Sequence, residues 1–288
     1  MMYRCALWVC DGLSVFLNFL PKSFLKFLAR GIVFVWYWII PFRINVVQRT
    51  LTIAYGQEKT KEEIQHLLKQ NLLHYVYLLI EFIQWRTLSL ETIQKRTQME
   101  NLSVLLEALK ENKGVILLTA HLGNFEWMAG VAPLFNLPLH IIVRPMKSKL
   151  FEHIISSQRQ KTGVSLMGPE NSNWHILDLF KKNQIVGVIF DQRRGSGILV
   201  DFFKKPALTT QGLAYLLERS EAIVVPVYTY RSDLGEMVVH VDPAVSYKKV
   251  GTRKENIYYN TQRYTDVVEQ MVRCHPEQWF WIHDRWKM

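Results

Sequence analysis

The segment His121-Leu-Gly-Asn-Phe-Glu126 sets a histidine and a carboxylate five residues apart, directly behind the apolar run Val115–Thr119. Gly123 allows a sharp turn, and Asn124 is a good helix N-cap, so Glu126 is expected in a first helical turn. A histidine on the loop just before it could face that carboxylate. Held by Glu126 through one ring nitrogen, the imidazole would offer the other as a general base near neutral pH. Such a base turns a hydroxyl into a nucleophile. The blander alternative stands beside it, since a first-turn carboxylate is favoured by the helix dipole whatever the histidine does.

Two more apolar runs end in polar residues. Residues 139–143 run into Arg144-Pro145, and residues 184–190 into Asp191-Gln192-Arg193-Arg194. In an open α/β sheet, ligands bind outside the carboxyl ends of the strands, so these residues would share one rim with His121. Taken singly, Asp191 could be a helix cap or turn residue, and Arg144 and Arg159 could be solvated charges. Residues 127–151, however, carry Arg144, Lys147 and Lys149 and no acid. A cationic rim suits a phosphorylated substrate or an acidic protein partner.

The elements that must position this rim alternate along the chain. Thr60-Lys-Glu-Glu63 is a capping box that opens a helical pattern through about residue 85. Strand-like runs follow at Val115–Thr119, 139–143, 164–167, 184–190, 223–228 and Met237–Val241. Helical patterns fall at 124–135, 147–161, 173–182, 208–219 and 256–273. Buried strands alternating with helices predict an α/β domain over residues 45–288, its central sheet mostly parallel or mixed and flanked by helices.

Residues 1–44 read differently. Between residues 12 and 57 lie five basic residues (Lys22, Lys26, Arg30, Arg43 and Arg49) and no acidic one. Lys22, Lys26 and Arg30 recur every fourth residue, a basic stripe beside Phe24, Leu25, Phe27 and Leu28. The apolar runs 6–21 and 31–42 each fall short of the ~20 residues a spanning helix needs. A membrane-binding helical segment is therefore expected, lying in the headgroup region or dipping in with snorkelling lysines. No small-x-small cleavage site follows the first run, so the segment is expected to stay attached. A buried amphipathic helix of a soluble domain is the alternative.

Composition narrows the classes. The 288 residues carry a formal charge of +10 and are 49% apolar, with nine Trp, twelve Tyr and fifteen Phe. Such a charge favours an anionic partner. Cys5, Cys10 and Cys274 show neither metal-ligand spacing nor a disulfide framework. Nucleophile-elbow, zinc-protease, phosphate-loop and dinucleotide motifs are missing, and no nucleic-acid motif is present. No cofactor or metal is expected.

At these residues the sequence resembles the bacterial late lipid A acyltransferases, within the lysophospholipid-acyltransferase-like superfamily. His121-Leu-Gly-Asn-Phe-Glu126 is similar to the superfamily's His-x4-Asp/Glu motif. Arg144-Pro145, then Arg159 and Gly163, resemble its Arg-Pro and Arg-x3-Gly blocks. Asp191-Gln192 and Asp201-Phe-Phe-Lys-Lys-Pro-Ala-Leu-Thr209 resemble the next two, and Pro276-Glu-Gln-Trp-Phe-Trp-Ile-His-Asp-Arg-Trp-Lys287 the closing block. Lys204 departs from the family, which usually has glycine there, and puts in doubt how tightly that turn approaches substrate.

The resemblance implies transfer of a fatty acyl group from an acyl-carrier-protein thioester to a hydroxyl of a lipid A precursor, on the cytoplasmic face of a bacterial inner membrane. It makes His121 the base and Glu126 its orienting partner. Asn124, Arg144, Arg159, Asp191 and Gln192 become candidate substrate-binding or supporting residues, with Arg159 aimed at the thioester oxyanion or a phosphate. The rivals are a same-fold acyltransferase for another lipid acceptor (a lysophospholipid, an ornithine lipid, a phosphatidylinositol mannoside) and a non-catalytic membrane-surface binding protein.

Overall fold

A computed structural model of the chain describes residues 2–143, 148–168, 172–233 and 235–287. Its centre is a seven-stranded sheet in the order β1-β9-β8-β2-β5-β3-β4. The strands are β1 Thr97–Glu100, β2 Val115–Thr119, β3 Leu139–Ile142, β4 Ser165–Met167, β5 Ile185–Ile189, β8 Ile223–Arg231 and β9 Met237–Val241. Every neighbouring pair is parallel except β8 and β9. The mostly parallel α/β architecture expected from the alternating pattern is what forms.

β2 lies between β8 and β5 and is buried along its whole length. Its residues alternate between two cores, as the period of two requires. Ile116 and Leu118 join one cluster with α3 (Ile44–Tyr55), α4 (Lys61–Trp85) and α11 (Arg253–Cys274). Val115 and Leu117 join another with α5 (Leu90–Lys95), α6 (Leu102–Lys110) and α7 (Phe125–Val131). Covering both faces is what a parallel sheet demands of its helices.

Local chemistry sets the helix limits. Both bonds of the Thr60/Glu63 capping box form, at 3.2 and 2.7 Å. A second capping box, Thr252/Glu255, starts α11 at Arg253, three residues before the apolar pattern begins. Gly163, with φ of 83°, closes α8 (Lys149–Thr162).

Three strands escape the sequence reading. β1 is four residues long. β6 (Ile198–Phe202) and β7 (Lys205–Thr209) form a separate antiparallel hairpin, so the helical pattern at 208–219 begins only with α10 (Gly212–Glu218). The two turn residues of the hairpin, Phe203 and Lys204, have φ of 55° and 56°. Two left-handed residues make the tight turn that fits strand twist, usually signalled by Asn-Gly. Phe-Lys gives no such signal. Lys204 thus sits where glycine is favoured, which explains why its presence looked anomalous.

Residues before 44 form α1 (Met2–Phe19) and α2 (Lys22–Trp38), both packed on α4. Ser14 Oγ and Asn18 Nδ2 each donate to the Gln84 carbonyl at 3.0 Å, and Arg86 reaches Asp11 at 2.7 Å. Ala29 is buried against Val76 and Ile80. Much of the outer surface is apolar: Trp8 is 80% exposed and Phe19 90%. No helix among the described residues is long and apolar enough to cross a membrane.

Candidate active site

β2 and β5 run parallel with Thr119 opposite Ile189. Two residues further on, the same register sets His121 opposite Asp191. The imidazole Nδ1 lies 2.8 Å from Asp191 Oδ1. Asp191 Oδ2 accepts from the His121 backbone N–H at 2.8 Å and from Trp279 Nε1 at 2.7 Å. A carboxylate can only accept, so Nδ1 carries the proton and Nε2 keeps its lone pair. Gln192 Nε2 approaches that nitrogen at 3.4 Å.

The carboxylate that holds the imidazole is therefore Asp191, not Glu126. The sequence points to Glu126 because it is close along the chain, but strand register brings Asp191 to the ring from 70 residues away. Burial works against protonating His121, yet the charge and hydrogen bond of Asp191, with Glu126 adding to them, outweigh it and raise the imidazole above its ordinary value. Burial likewise disfavours the Asp191 carboxylate. His121 and Trp279 reverse that effect and hold it below the usual carboxylate range.

Gly123 is required where it stands: its φ is 56°, and a Cβ there would lie 2.0 Å from the Thr229 carbonyl oxygen. The loop it turns is anchored by Gly123 N–H to Gln278 O at 3.0 Å and Phe280 N–H to His121 O at 3.1 Å. Asn124 caps α7 as expected, its Oδ1 accepting from Trp127 N–H at 3.0 Å. Its Nδ2 donates to Glu81 on α4. The Asn124 side chain is 2% exposed and does not line the cavity below, so its partners are protein groups.

Glu126 follows in the first turn of α7 and receives Arg159 of α8 in a two-pronged pair, Nε to Oε2 at 2.9 Å and Nη2 to Oε1. Burial works to lower the Arg159 pKa, and Glu126 raises it beyond its already high value. Both side chains are 21% exposed. Arg144 lies outside the described residues.

These groups open on one cavity of about 680 Å³. His121, Glu126, Arg159 and Gln192 line it together with an apolar interior that includes Leu117, Met128, Val131, Leu139, Ile141 and Val239. Gly187 contributes no side chain; a Cβ there would come within 3.3 Å of Ile141 Cγ2. An apolar slot with a few convergent polar groups suits a hydrocarbon tail joined to a reactive head. No cluster of three or more His, Cys, Asp or Glu able to hold a metal occurs among the described residues.

Four contributors gave no signal of their own in the sequence. Trp279, buried to 1%, supports Asp191 from a segment far along the chain. Arg285, also 1% exposed, donates from Nη1 to the Leu208 carbonyl at 2.6 Å and from Nη2 to Thr209 Oγ1, tying down the β6–β7 hairpin. Glu81 and Arg231, 150 residues apart, form an ion pair beside Asn124. The resemblance covered the segments that hold Trp279 and Arg285. Glu81 and Arg231 lie outside its motifs.

Comparison with known proteins places the chain in a family. Residues 1–288 match the family described as bacterial lipid A biosynthesis acyltransferase. A lipid A biosynthesis palmitoleoyltransferase of Escherichia coli (strain K12) is 24% identical over 85% of this chain and 79% of its own. A lipid A biosynthesis acyltransferase of Haemophilus influenzae is 22% identical over 66% of this chain and 59% of its own. The chain belongs to the bacterial lipid A biosynthesis acyltransferase family.

Proposed function

We propose that this protein moves a fatty acyl chain from an acyl-carrier-protein thioester to a hydroxyl of a lipid A precursor. The observation that carries the reading is a histidine with a fixed tautomer at an apolar cavity, its Nδ1 tied to a buried aspartate and its Nε2 left to accept a proton. The acceptor hydroxyl gives its proton to His121 Nε2 as its oxygen attacks the thioester carbonyl. A tetrahedral oxyanion forms, collapses to the ester and expels the thiolate, which takes the proton back from the imidazolium. Asp191 stabilises the charged ring between those two events. Arg159, held by Glu126, supplies a guanidinium for the oxyanion or for an acceptor phosphate. The apolar slot receives the acyl chain.

The reading includes an anionic bilayer surface, on the cytoplasmic face of a bacterial inner membrane, as the place of reaction. Exposed Trp8, Phe19, Phe27 and Trp38 beside Lys22, Lys26 and Arg30 support it. Aromatic side chains at the headgroup level with basic residues around them are the composition of an interfacial helix.

The test is acyl transfer by purified protein from an acyl-carrier-protein thioester to a panel of lipid acceptors, lipid A precursors and lysophospholipids included. Transfer to a lipid A precursor that falls at least ~100-fold in His121→Ala is expected for loss of a general base. A His121→Ala protein with near-parental turnover refutes the mechanism, and transfer to another acceptor alone refutes the substrate.

A further inference from the structure

At the carboxyl end of β8, Arg231 meets Glu81, which projects from α4. Arg231 Nη2 donates to Glu81 Oε2 at 2.7 Å, and Nε donates to Oε1. The two side chains are 14% and 15% exposed. Water is mostly excluded, so breaking this bidentate pair would leave a charge without compensation. Arg231 is itself held on every side. Its Nη1 points at His74 Nδ1 at 3.4 Å, and its guanidinium lies 5.0 Å from the centre of the Tyr77 ring. Its backbone N–H and C=O both bond to the Gln278 side chain, at 2.8 and 3.0 Å. Burial, with Arg231 beside it, keeps His74 well below its ordinary pKa, so Nδ1 is free to accept.

A framework this constrained stabilises α4 and β8 against each other, but it has one more bond. Asn124 Nδ2 donates to Glu81 Oε2 at 3.1 Å, while Asn124 Oδ1 caps α7. Asn124 is thus a bridge. One end fixes the first turn of the helix that presents Glu126 to Arg159, and the other is fastened to a carboxylate that Arg231 has already immobilised. On the chain side, Asn124 stands three residues after His121. We infer that Glu81 is a positioning residue for the reaction proposed above, setting the distance between the His121 base and the Glu126–Arg159 pair through Asn124. Reacting groups misplaced by about 1 Å can lose on the order of 100-fold in rate.

The inference rests on the acyl-transfer reading, and the test separates the two. Asn124→Asp keeps a capping oxygen on α7 but turns the donor facing Glu81 into an acceptor, so two carboxylates meet. Adding Glu81→Gln removes that repulsion: the new amide on α4 donates to the new carboxylate at the cap, its oxygen keeps an acceptor for Arg231, and the charge moved to position 124 stays beside the guanidinium, so the summed charge of positions 81 and 124 returns to its original value. Asn124→Asp is expected to lower kcat about 10- to 100-fold, with KM for the acceptor changed by less than about 3-fold. The double variant is expected to recover kcat to within about 5-fold of the parent, with both proteins melting cooperatively and the single variant at the lower temperature. A purely structural link would move Tm and the folded fraction but leave kcat per folded molecule untouched. Parental kcat in Asn124→Asp, or a double variant no better than that single one, overturns the inference. Should the parent transfer no acyl group at all, the function reading fails, and amide exchange still decides the positioning. Protection of the α7 amides is expected to fall in Asn124→Asp and return in the double variant. Unchanged protection refutes it.

Discussion

On the sheet side of the site, Asp191 is 2% exposed and accepts three hydrogen bonds, one from the His121 ring, one from its backbone and one from Trp279. On the helix side, Glu126 is one-fifth exposed and receives a single arginine from α8. Both are carboxylates that accept from a nitrogen-bearing side chain, yet their settings differ. Backbone register sets Asp191 opposite His121, and three donors hold its carboxylate there. The Glu126–Arg159 pair joins two side chains on separate helices, in partial contact with solvent, where an incoming anion can compete for the guanidinium. The buried carboxylate fixes the imidazole. The outer one holds a guanidinium.

That contrast can be broken most severely at Asp191. Asp191→Asn leaves an isosteric side chain but lets its amide donate to Nδ1, which favours the wrong tautomer. A loss of about 10³- to 10⁴-fold in kcat is expected, the scale at which a misdirected histidine fails. Steady-state kinetics on folded protein measure it. A loss below about tenfold would mean that Asp191 does not orient the base.

Arg159→Lys is the next largest, about 10- to 100-fold, because an ammonium cannot reproduce the planar fork. A fall in kcat at constant KM assigns the guanidinium to the oxyanion. A rise in acceptor KM assigns it to a phosphate. Kinetics equal to the parent at saturating and limiting acceptor remove Arg159 from the site.

The smallest effect sharpens the comparison by pH. A general base works when neutral, so kcat/KM should rise with pH through a limb that lies above 6.5, because His121 is raised in the fold. Glu126→Gln removes one contributor to that rise, so the limb should move down by less than Asp191→Asn moves it. Stability has the opposite sign for the ring: what protonated His121 contributes is present below 6.5 and is lost as pH climbs through the raised value. What Asp191 contributes is present above 3.8 and is lost as pH falls through its depressed value. A pH–rate profile whose limb does not move in Asp191→Asn contradicts the electrostatic account.

The sequence made much of this legible where the cause is local. The apolar run of β2, the turn at Gly123, the cap at Asn124 and the capping box at Thr60 are all short-range chemistry, and each forms. The partner of His121 was harder, because nearness along the chain favours Glu126 while register supplies Asp191. Phe203 and Lys204 hide a hairpin for the same kind of reason: their left-handed backbone is imposed by packing rather than by turn residues. The first two helices show a third limit. Their stripe of basic and aromatic residues was visible, but their seat on α4 depends on Ser14, Asn18 and Ala29 meeting residues far along the chain, Gln84 and Val76 among them.

One consequence follows from the segment after α11, where Gln278 clasps Arg231, Trp279 supports Asp191 and Arg285 pins Thr209. Trp279 and Trp281 are buried to 1% and 0%. Truncating either to alanine should cost about 3–5 kcal/mol. A ribosome makes this segment after everything it clasps. His121 and Asp191 emerge long before the tryptophan that completes their hydrogen bonding. A chain cut short before Trp279 carries His121 and Asp191 without one of the three donors that hold the carboxylate.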